Sequence, residues 1–174
     1  MSKNNKEFST RQEAMVAKFM GWKVVAGSGS RPFTPGDVFD EHFLVECKTH
    51  TEPQSKVIFY QTHWKKISEE AQAKHKTPVL VVDTGTQLSN NTWVMLPSRS
   101  LPFEDTNKID GLENTTRGGT TIIFNHQDMY TVFIKERNDD MVNYFVDKFE
   151  GSKELLAIMT LSEFKEYYIR EYET

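Results

Sequence analysis

Residues 36–48 contain an aspartate, a glutamate and a lysine that could act together in a catalytic site. A short β-strand over residues 43–48 would point Glu46 and Lys48 to the same side, because side chains two apart on a strand share a face. Asp37 begins a preceding short strand, and a turn between the two strands would fold them into a hairpin. Two carboxylates that hold a divalent cation, with an ammonium beside them, are what a metal-dependent phosphodiesterase requires. The alternative interpretation is an exposed ion pair on a solvated strand face.

Cys47 lies between the two charged residues of this strand, and alternation places it on the opposite face with Phe43 and Val45. We therefore expect a small buried hydrophobic side chain rather than a nucleophile. Because Cys47 is the only cysteine in the sequence, an internal disulfide and a cysteine-based zinc site are excluded. A single cysteine also suits a reducing compartment.

Length and composition predict one soluble domain without a membrane partner. The 174 residues, 37% hydrophobic and 26% charged, are enough for a single globular domain with a sizeable core. No apolar run approaches the roughly 20 residues of a membrane span, and the polar N-terminus lacks the apolar core of a signal peptide. We therefore expect a cytoplasmic protein.

The net charge of −4 is unevenly distributed along the chain. Residues 1–80 contain 12 Lys and Arg against 9 Asp and Glu, whereas residues 81–174 contain 9 against 16. A basic first half around an acidic patch is compatible with a DNA partner, although the overall negative charge argues mildly against one. The acidic second half suits a packing partner, a dimer element or an acidic outer face.

The segment before the hairpin predicts a helix, a strand and a loop. The helix would run over residues 9–20, opened by a capping box from Thr10 to Glu13 and ended by Gly21. A strand over residues 22–26 follows.

A loop rich in glycine and serine then occupies residues 27–36. Its glycines permit close approach of another backbone, and the donors of Ser28, Ser30 and Arg31 suit phosphate oxygens. A flexible surface loop is the ordinary interpretation of such a sequence. Its position directly before Asp37 favours a substrate-binding loop.

Beyond the hairpin, residues 61–76 predict a helix, and the apolar runs over 79–82 and 92–96 predict two strands. The apolar stripe of the helix consists of Trp64, Ile67 and Ala71. Together with the earlier elements, these predict an α/β fold over residues 9–96, with a mixed sheet of about five strands flanked by helices.

The second half of the chain has a less regular pattern, and residues 97–119 in particular lack periodicity. The predicted elements that follow are strands over 120–124 and 130–135, a helix over 139–149, and a final helix from a capping box at Thr160 to about Tyr172. The predicted organisation is a core (1–96), a long loop (97–119) and a C-terminal α/β extension of the same domain or a small appended subdomain (120–174).

Four sequence elements of the first half follow one another in a set order. They are Arg11-Gln12-Glu13, Val25-Ala26-Gly27-Ser28-Gly29-Ser30, Gly36-Asp37 and Val45-Glu46-Cys47-Lys48. With these residues the chain resembles the PD-(D/E)xK nuclease superfamily, and within it the archaeal-type Holliday junction resolvases and their phage relatives. The resemblance covers residues 9–96. The D…ExK element alone is short and degenerate, so the ordered set of four carries the resemblance.

This resemblance implies a restriction-endonuclease-like fold and a divalent-metal-dependent endonuclease that hydrolyses DNA phosphodiester bonds. Asp37, Glu46 and the backbone carbonyl of Cys47 would bind Mg²⁺ or Mn²⁺. Lys48 would orient the attacking water or stabilise the charge that develops on the phosphate.

The resemblance also implies supporting residues and a substrate. Glu13 would position a water held by the metal, and Ser28 or Ser30 would contact the phosphate near the cleaved bond. The DNA implied is branched, and the enzyme would act as a homodimer because a four-way junction needs two symmetric cuts.

Two other functions stay open on the sequence. One is a restriction-type or repair endonuclease for other DNA, with residues 97–119 as part of a recognition element. The other is a non-catalytic DNA- or protein-binding module of the same fold. His50 could face the site and the pair Lys65 and Lys66 could touch DNA, but ordinary surface positions are the default for all three.

Overall fold

The computed structural model describes residues 3–26, 36–110 and 115–173. These residues form four α-helices and eleven β-strands. The helices are α1 (Lys3–Met20), α2 (Gln61–Ala73), α3 (His126–Glu136) and α4 (Leu161–Tyr172). The strands are β1 (Lys23–Val24), β2 (Val38–Phe39), β3 (Phe43–Lys48), β4 (Lys56–Tyr60), β5 (Thr77–Asp83), β6 (Thr92–Pro97), β7 (Thr106–Lys108), β8 (Thr115–Gly118), β9 (Thr121–Asn125), β10 (Val142–Asp147) and β11 (Leu156–Thr160). Within the described part of the chain, no helix has the length and apolar character needed to cross a membrane.

Eight strands form one mixed sheet in the order β1-β2-β3-β5-β6-β11-β10-β7. Neighbouring strands are antiparallel, except that β3 is parallel to β5 and β10 is parallel to β7. Strands β4, β9 and β8 form a separate antiparallel sheet. The predicted α/β class with a mixed sheet flanked by helices is confirmed. The predicted number of about five strands is wrong, because β11 pairs with β6 and the strands of the second half extend the sheet.

Both faces of the eight-stranded sheet are covered, and an apolar core lies on each side. On one face, Trp64 and Ile67 of α2 and Phe133 of α3 lie in the same core as Leu80 and Trp93 of the sheet. On the other face, the core contains residues of α1 and α4 together with Phe43, Val45 and Cys47 of β3. Burial of each large side chain contributes roughly 1.5–3 kcal/mol, so the two cores fix the helices on the sheet. The predicted buried stripe of α2 is confirmed.

The first helix differs from its prediction at its start. Because α1 begins at residue 3, Thr10 lies inside it, and the Thr10 hydroxyl donates a hydrogen bond to the carbonyl of Lys6 at 2.8 Å. The predicted capping box from Thr10 to Glu13 is therefore wrong, since only the first turn of a helix has unpaired amides to cap. Glu13 has no capping function. The predicted end is confirmed, with Gly21 in the left-handed region at φ +74°.

Two predictions in the second half have the wrong type of element. Residues 130–135, predicted as a strand, lie in α3, whose first turn is capped where Asn125 Oδ1 accepts a hydrogen bond from the Asp128 amide at 3.0 Å. Residues 139–149, predicted as a helix, contain β10. Both cores include residues of β10, so its apolar side chains lack simple alternation and imitate a helical stripe.

The segment 97–119, predicted as one long loop, contains two short strands. β7 lies at an edge of the large sheet and β8 at an edge of the small one. With three and four residues, they are too short to show a clear period of two. The predicted N-cap of α4 is confirmed, because Thr160 Oγ1 accepts a hydrogen bond from the Glu163 amide at 3.2 Å.

Candidate active site

The predicted hairpin is formed by the antiparallel pair of β2 and β3. Its turn is fixed by Asp40, whose Oδ1 accepts hydrogen bonds from the amides of His42 and Phe43 at 2.9 and 2.7 Å. Past the last residue of β3 that pairs with β2, the Cys47 amide donates a hydrogen bond to Asp37 Oδ2 at 2.8 Å. The Asp37 carboxylate thus accepts a hydrogen bond that a backbone carbonyl of a neighbouring strand would otherwise accept. This fixes Asp37 beside the charged residues of β3.

Gly36 sets the direction of the backbone that leads into Asp37. Its φ of +68° lies in the left-handed region, and a Cβ at this position would approach Leu44 Cδ1 to 2.6 Å. Only glycine therefore fits here without strain. The Gly36 amide donates a hydrogen bond to Glu70 Oε2 at 2.8 Å, which ties the start of the hairpin to α2.

Glu46 is buried, with 3% of its surface exposed, and two ammonium groups face its carboxylate. Lys48 Nζ lies 3.3 Å from Oε1, as expected for two residues on one face of a strand. Lys66 Nζ, from α2, lies 3.2 Å from Oε2 and 3.3 Å from Oε1. Because Glu46 is buried, the alternative of a solvated strand face is wrong.

Glu13 reaches the same patch from α1. Its pKa is raised from 4.5 to about 7, chiefly by burial and then by the negative charges of Asp37 and Glu46. A side-chain hydrogen bond with Asp37 raises the pKa further, while the charge of Lys48 opposes the shift. The sequence-predicted residues Glu13, Asp37, Glu46 and Lys48 therefore converge in the structure. Carboxylates from α1, from the start of the hairpin and from β3 meet on one patch.

Gln12 fixes the end of β3 on which Lys48 lies. Its side chain is fully buried, and its Nε2 donates a hydrogen bond to the Lys48 carbonyl at 2.6 Å. Its Oε1 is buried with no hydrogen-bond partner among the described groups. A buried amide with one unmet acceptor costs stability, on the order of 1–3 kcal/mol. This hydrogen bond fixes the backbone of Lys48 at the end of β3, where Lys48 lies on the same strand face as Glu46.

Cys47 has its side chain in the core on the other face of β3, as alternation predicts. It is a free cysteine, 7% exposed, and burial raises the pKa of its thiol well above 9.0. Such a thiol is a poor nucleophile, so the interpretation of Cys47 as a small buried hydrophobe is confirmed. Its backbone carbonyl as a metal ligand stays a prediction.

The three predicted substrate-binding residues, Ser28, Ser30 and Arg31, lie outside the described residues. Their contact with phosphate stays a prediction. His50, which the sequence allowed near the site, interacts electrostatically with Asp83 at the end of β5.

Two residues of α2 that were not predicted as site residues, Lys66 and His63, belong to the patch. Lys66, for which a solvated helix face was the default, contacts Glu46 and lies 3.7 Å from Glu70. The pKa of His63 is lowered, mainly by burial and then by the charge of Lys48, with a smaller contribution from Lys66. The predicted helix is itself a signal that could have placed these residues near the site. It lies between β3 and β5 in the chain and must cross one face of the sheet. That is the face on which Glu46 lies.

The donors of the patch suit a hard divalent cation. Its charged groups are the carboxylates of Glu13, Asp37, Glu46 and Glu70 and the ammoniums of Lys48 and Lys66. With every group ionised, the patch carries two more negative than positive charges, and Mg²⁺ and Mn²⁺ prefer such oxygen ligands. No three His, Cys, Asp or Glu side chains of the described ranges form a ready-made metal site. The predicted ligand set is not a site of three side chains, because it combines the carboxylates of Asp37 and Glu46 with the backbone carbonyl of Cys47.

Known proteins give no direct guide to this site. No model of a protein family matches the chain, and no curated protein matches it either. The resemblance to the PD-(D/E)xK nucleases therefore depends on the ordered residues quoted above. What the patch does is inferred from its own charges and distances.

Proposed function

We propose that this chain is a divalent-metal-dependent DNA endonuclease of restriction-endonuclease-like fold, and that it resolves Holliday junctions as a homodimer. The observation that carries the proposal is the convergence of Asp37, Glu46 and Lys48 with Glu13. Asp37 is fixed by the Cys47 amide and hydrogen-bonds to Glu13, while Glu46 pairs with Lys48. Such a cluster of like charges is costly to maintain, and a carboxyl group with a raised pKa, as at Glu13, is typical of functional sites.

The cation would be held by Asp37, Glu46 and the carbonyl of Cys47. Mg²⁺ or Mn²⁺ bound there supplies Lewis acidity and neutralises charge on the phosphate. The Lys48 ammonium would donate a hydrogen bond to a phosphate oxygen, where negative charge develops as water attacks. The Glu13 carboxylate, which lies against Asp37, would position the attacking water and accept, at its oxygen, the proton that this water loses.

The order and direction of the elements support the proposed fold. The helix α1 precedes an antiparallel hairpin, and a connection that contains β4 and α2 then leads from β3 to its parallel neighbour β5. The charged patch lies where Glu13 of α1, the hairpin and Lys66 of α2 meet. This arrangement places residues from three separate segments around one strand, as a nuclease of the resembled superfamily requires.

Branched DNA is the proposed substrate because of the resemblance and the charge distribution. The first half, which contains the patch, has an excess of basic residues. Basic side chains around an acidic centre attract the DNA backbone, while the carboxylates hold the cation. A dimer with two-fold symmetry would present two such patches to the two symmetric cutting positions of a four-way junction.

The test is incubation of the protein with a synthetic four-way junction and Mg²⁺. We expect paired symmetric cuts, and a loss of at least about 100-fold in rate for Asp37→Asn and for Lys48→Ala. Lys65→Ala is the matched control for Lys48→Ala, because Lys65 is exposed on α2. Thermal unfolding of each variant separates loss of chemistry from loss of fold.

The outcomes distinguish the proposal from its alternatives. Linear duplex cut as readily as the junction would keep the nuclease and remove the resolvase, and cleavage at one defined sequence would favour a restriction-type enzyme. Undiminished cleavage by both variants would exclude this patch as the active site. Absence of cleavage together with absence of metal binding by calorimetry would favour a non-catalytic binding module.

A further inference from the structure

Lys66 occupies a position on Glu46 that the proposed cation also needs. Its Nζ lies within 3.3 Å of both carboxylate oxygens of Glu46, and Lys48 faces Oε1 as well. A cation that binds Glu46 therefore meets a carboxylate that is already paired. A metal–oxygen bond to Glu46 therefore competes with these ion pairs for the lone pairs of the carboxylate.

We propose that Lys66 is the counter-ion of Glu46 while no divalent cation is bound. When the cation binds Glu46, it displaces the Lys66 ammonium. This inference rests on the proposed function, because it concerns the same cation. Lys66 stabilises the buried Glu46 carboxylate while no cation is bound and competes with the cation for it. Displaced, its ammonium stays at the patch as a positive group beside the place of the phosphate.

The exchange requires one of the two paired side chains to move, and Lys66 is the more exposed of the two. The Lys66 side chain is 55% exposed, whereas that of Glu46 is 4% exposed. A long, half-exposed lysine can turn to solvent, and the buried Glu46 carboxylate then keeps the Lys48 ammonium as a partner. Glu46 is held in β3 between its strand neighbours. Lys66 is therefore the partner that moves.

Glu70 gives the displaced lysine a second carboxylate. Its Oε1 lies 3.7 Å from Lys66 Nζ, one helical turn along α2, and its Oε2 accepts the hydrogen bond of the Gly36 amide. That backbone bond holds the Glu70 carboxylate in place next to the start of the hairpin. Lys66 can thus transfer from Glu46 to Glu70 without leaving the patch.

Lys48 is less suited to this exchange. Its backbone carbonyl is bound by Gln12, and its side chain lies on the same strand face as Glu46. It is also less exposed than Lys66, at 39%. Lys48 therefore stays beside Glu46 as a fixed ammonium, while Lys66 comes from another element and can withdraw.

The experiment is titration of Mn²⁺ into the full chain by calorimetry, without DNA and at low ionic strength. We expect Lys66→Met to bind Mn²⁺ about fivefold tighter than the wild type, because the competing ammonium is gone and its apolar stem is kept. Glu70→Gln should bind about threefold more weakly, because Lys66 then has only Glu46 as a partner. Lys65→Met, the adjacent exposed lysine, is the matched control and should leave the affinity unchanged.

The double variant separates competition from a general effect of charge. If Glu70→Gln acts through Lys66, its effect disappears in the Lys66→Met background, and the double variant binds like Lys66→Met. An effect of Glu70→Gln that persists there, or an unchanged affinity in Lys66→Met, would overturn the inference while Mn²⁺ binding itself keeps the proposed function. Absence of Mn²⁺ binding in the wild type and in every variant would overturn both.

Discussion

Glu46 and Glu163 are both almost fully buried, with 3% and 5% of their surface exposed, yet they are stabilised in different ways. Glu163 accepts hydrogen bonds from the backbone amide of Asn143 at 2.9 Å and from the Asn143 side-chain amide at 3.2 Å. Asn143 is in turn bound by the carbonyls of Asn138 and Met141. These hydrogen-bond donors are neutral amides. One cation also faces Glu163, because the half-exposed Arg137 guanidinium lies 3.7 Å from its Oε1.

Glu46 has no such set of neutral donors among its described contacts. Its partners are the ammoniums of Lys48 and Lys66, both partly exposed, and the charge of Glu46 also acts on the carboxyl of Glu13. The repulsion between carboxylates is visible in the raised pKa of Glu13. The patch therefore stores unfavourable charge that the fold alone does not relieve.

The two glutamates differ in the kind of group that stabilises the buried charge. Burial alone does not distinguish them, because both glutamates are equally hidden. The type of partner does: amides of Asn143 donate hydrogen bonds to Glu163, whereas Glu46 is bound by two ammoniums and lies among neighbouring acids. A site completed from within has no need of a ligand, and a site of clustered like charges is stabilised when a cation binds.

The largest expected effect on stability is that of Glu163→Ala. Loss of the carboxylate leaves the buried backbone amide of Asn143 without an acceptor and removes the hydrogen bond from the Asn143 side chain, which together cost about 3 kcal/mol in the free energy of unfolding. Urea unfolding at pH 7 measures this. Glu46→Gln, in the presence of a chelator, is the matched comparison and should cost less than ~1 kcal/mol, because it also removes repulsion. Equal losses would show that the two acids are stabilised alike.

The sequence was sufficient for the chemistry of the hairpin because that chemistry is local. Glu46 and Lys48 share a face by alternation, and the turn at Asp40 follows from the hydrogen-bonding habit of aspartate in turns. The buried stripe of α2 could be predicted for the same reason, since 3.6-residue periodicity is read within one helix. Each of these features depends on neighbours within a few residues.

Contacts between distant segments could not be predicted in this way. Lys66 meets Glu46 only because α2 packs over one face of the sheet between β3 and β5. The pairing of β11 with β6 joins the second half to the sheet, and no local pattern announces it. Because β10 is buried on both faces, its apolar and polar residues do not alternate. Val142 and Phe145 therefore have the three-residue spacing of a helical stripe.

A medium effect is expected for Glu13→Gln, measured by urea unfolding with a chelator present. The folded-state pKa of about 7 exceeds the ordinary 4.5, so the folded protein favours protonated Glu13 and loses stability as pH rises through this interval. The full interval corresponds to ~3 kcal/mol, and because Glu13 is half-buried we expect ~1–2 kcal/mol. Glutamine imitates the protonated acid. The variant should therefore match the wild type at pH 4, below the ordinary pKa, and exceed it in stability at pH 8.

The same advantage of Glu13→Gln at both pH values would mean that ionisation of Glu13 is not the cause. The advantage at pH 8 should also shrink when Mn²⁺ is added, because the cation relieves the repulsion in the wild type.

The smallest expected effect has the opposite sign of pH dependence and lies away from the patch, at His126. Burial lowers the pKa of His126 below 6.5, and its Nδ1 accepts a hydrogen bond from the Trp93 indole at 3.0 Å. Since the folded state favours neutral imidazole, its contribution is present above pH 6.5 and is lost as pH falls below that value. Wild type minus His126→Gln should therefore lose under ~1 kcal/mol of unfolding free energy between pH 7.5 and 5.5. A difference that instead grows as pH falls would mean that His126 is stabilised as a cation, and that buried polar groups outside the patch are not completed by neutral partners.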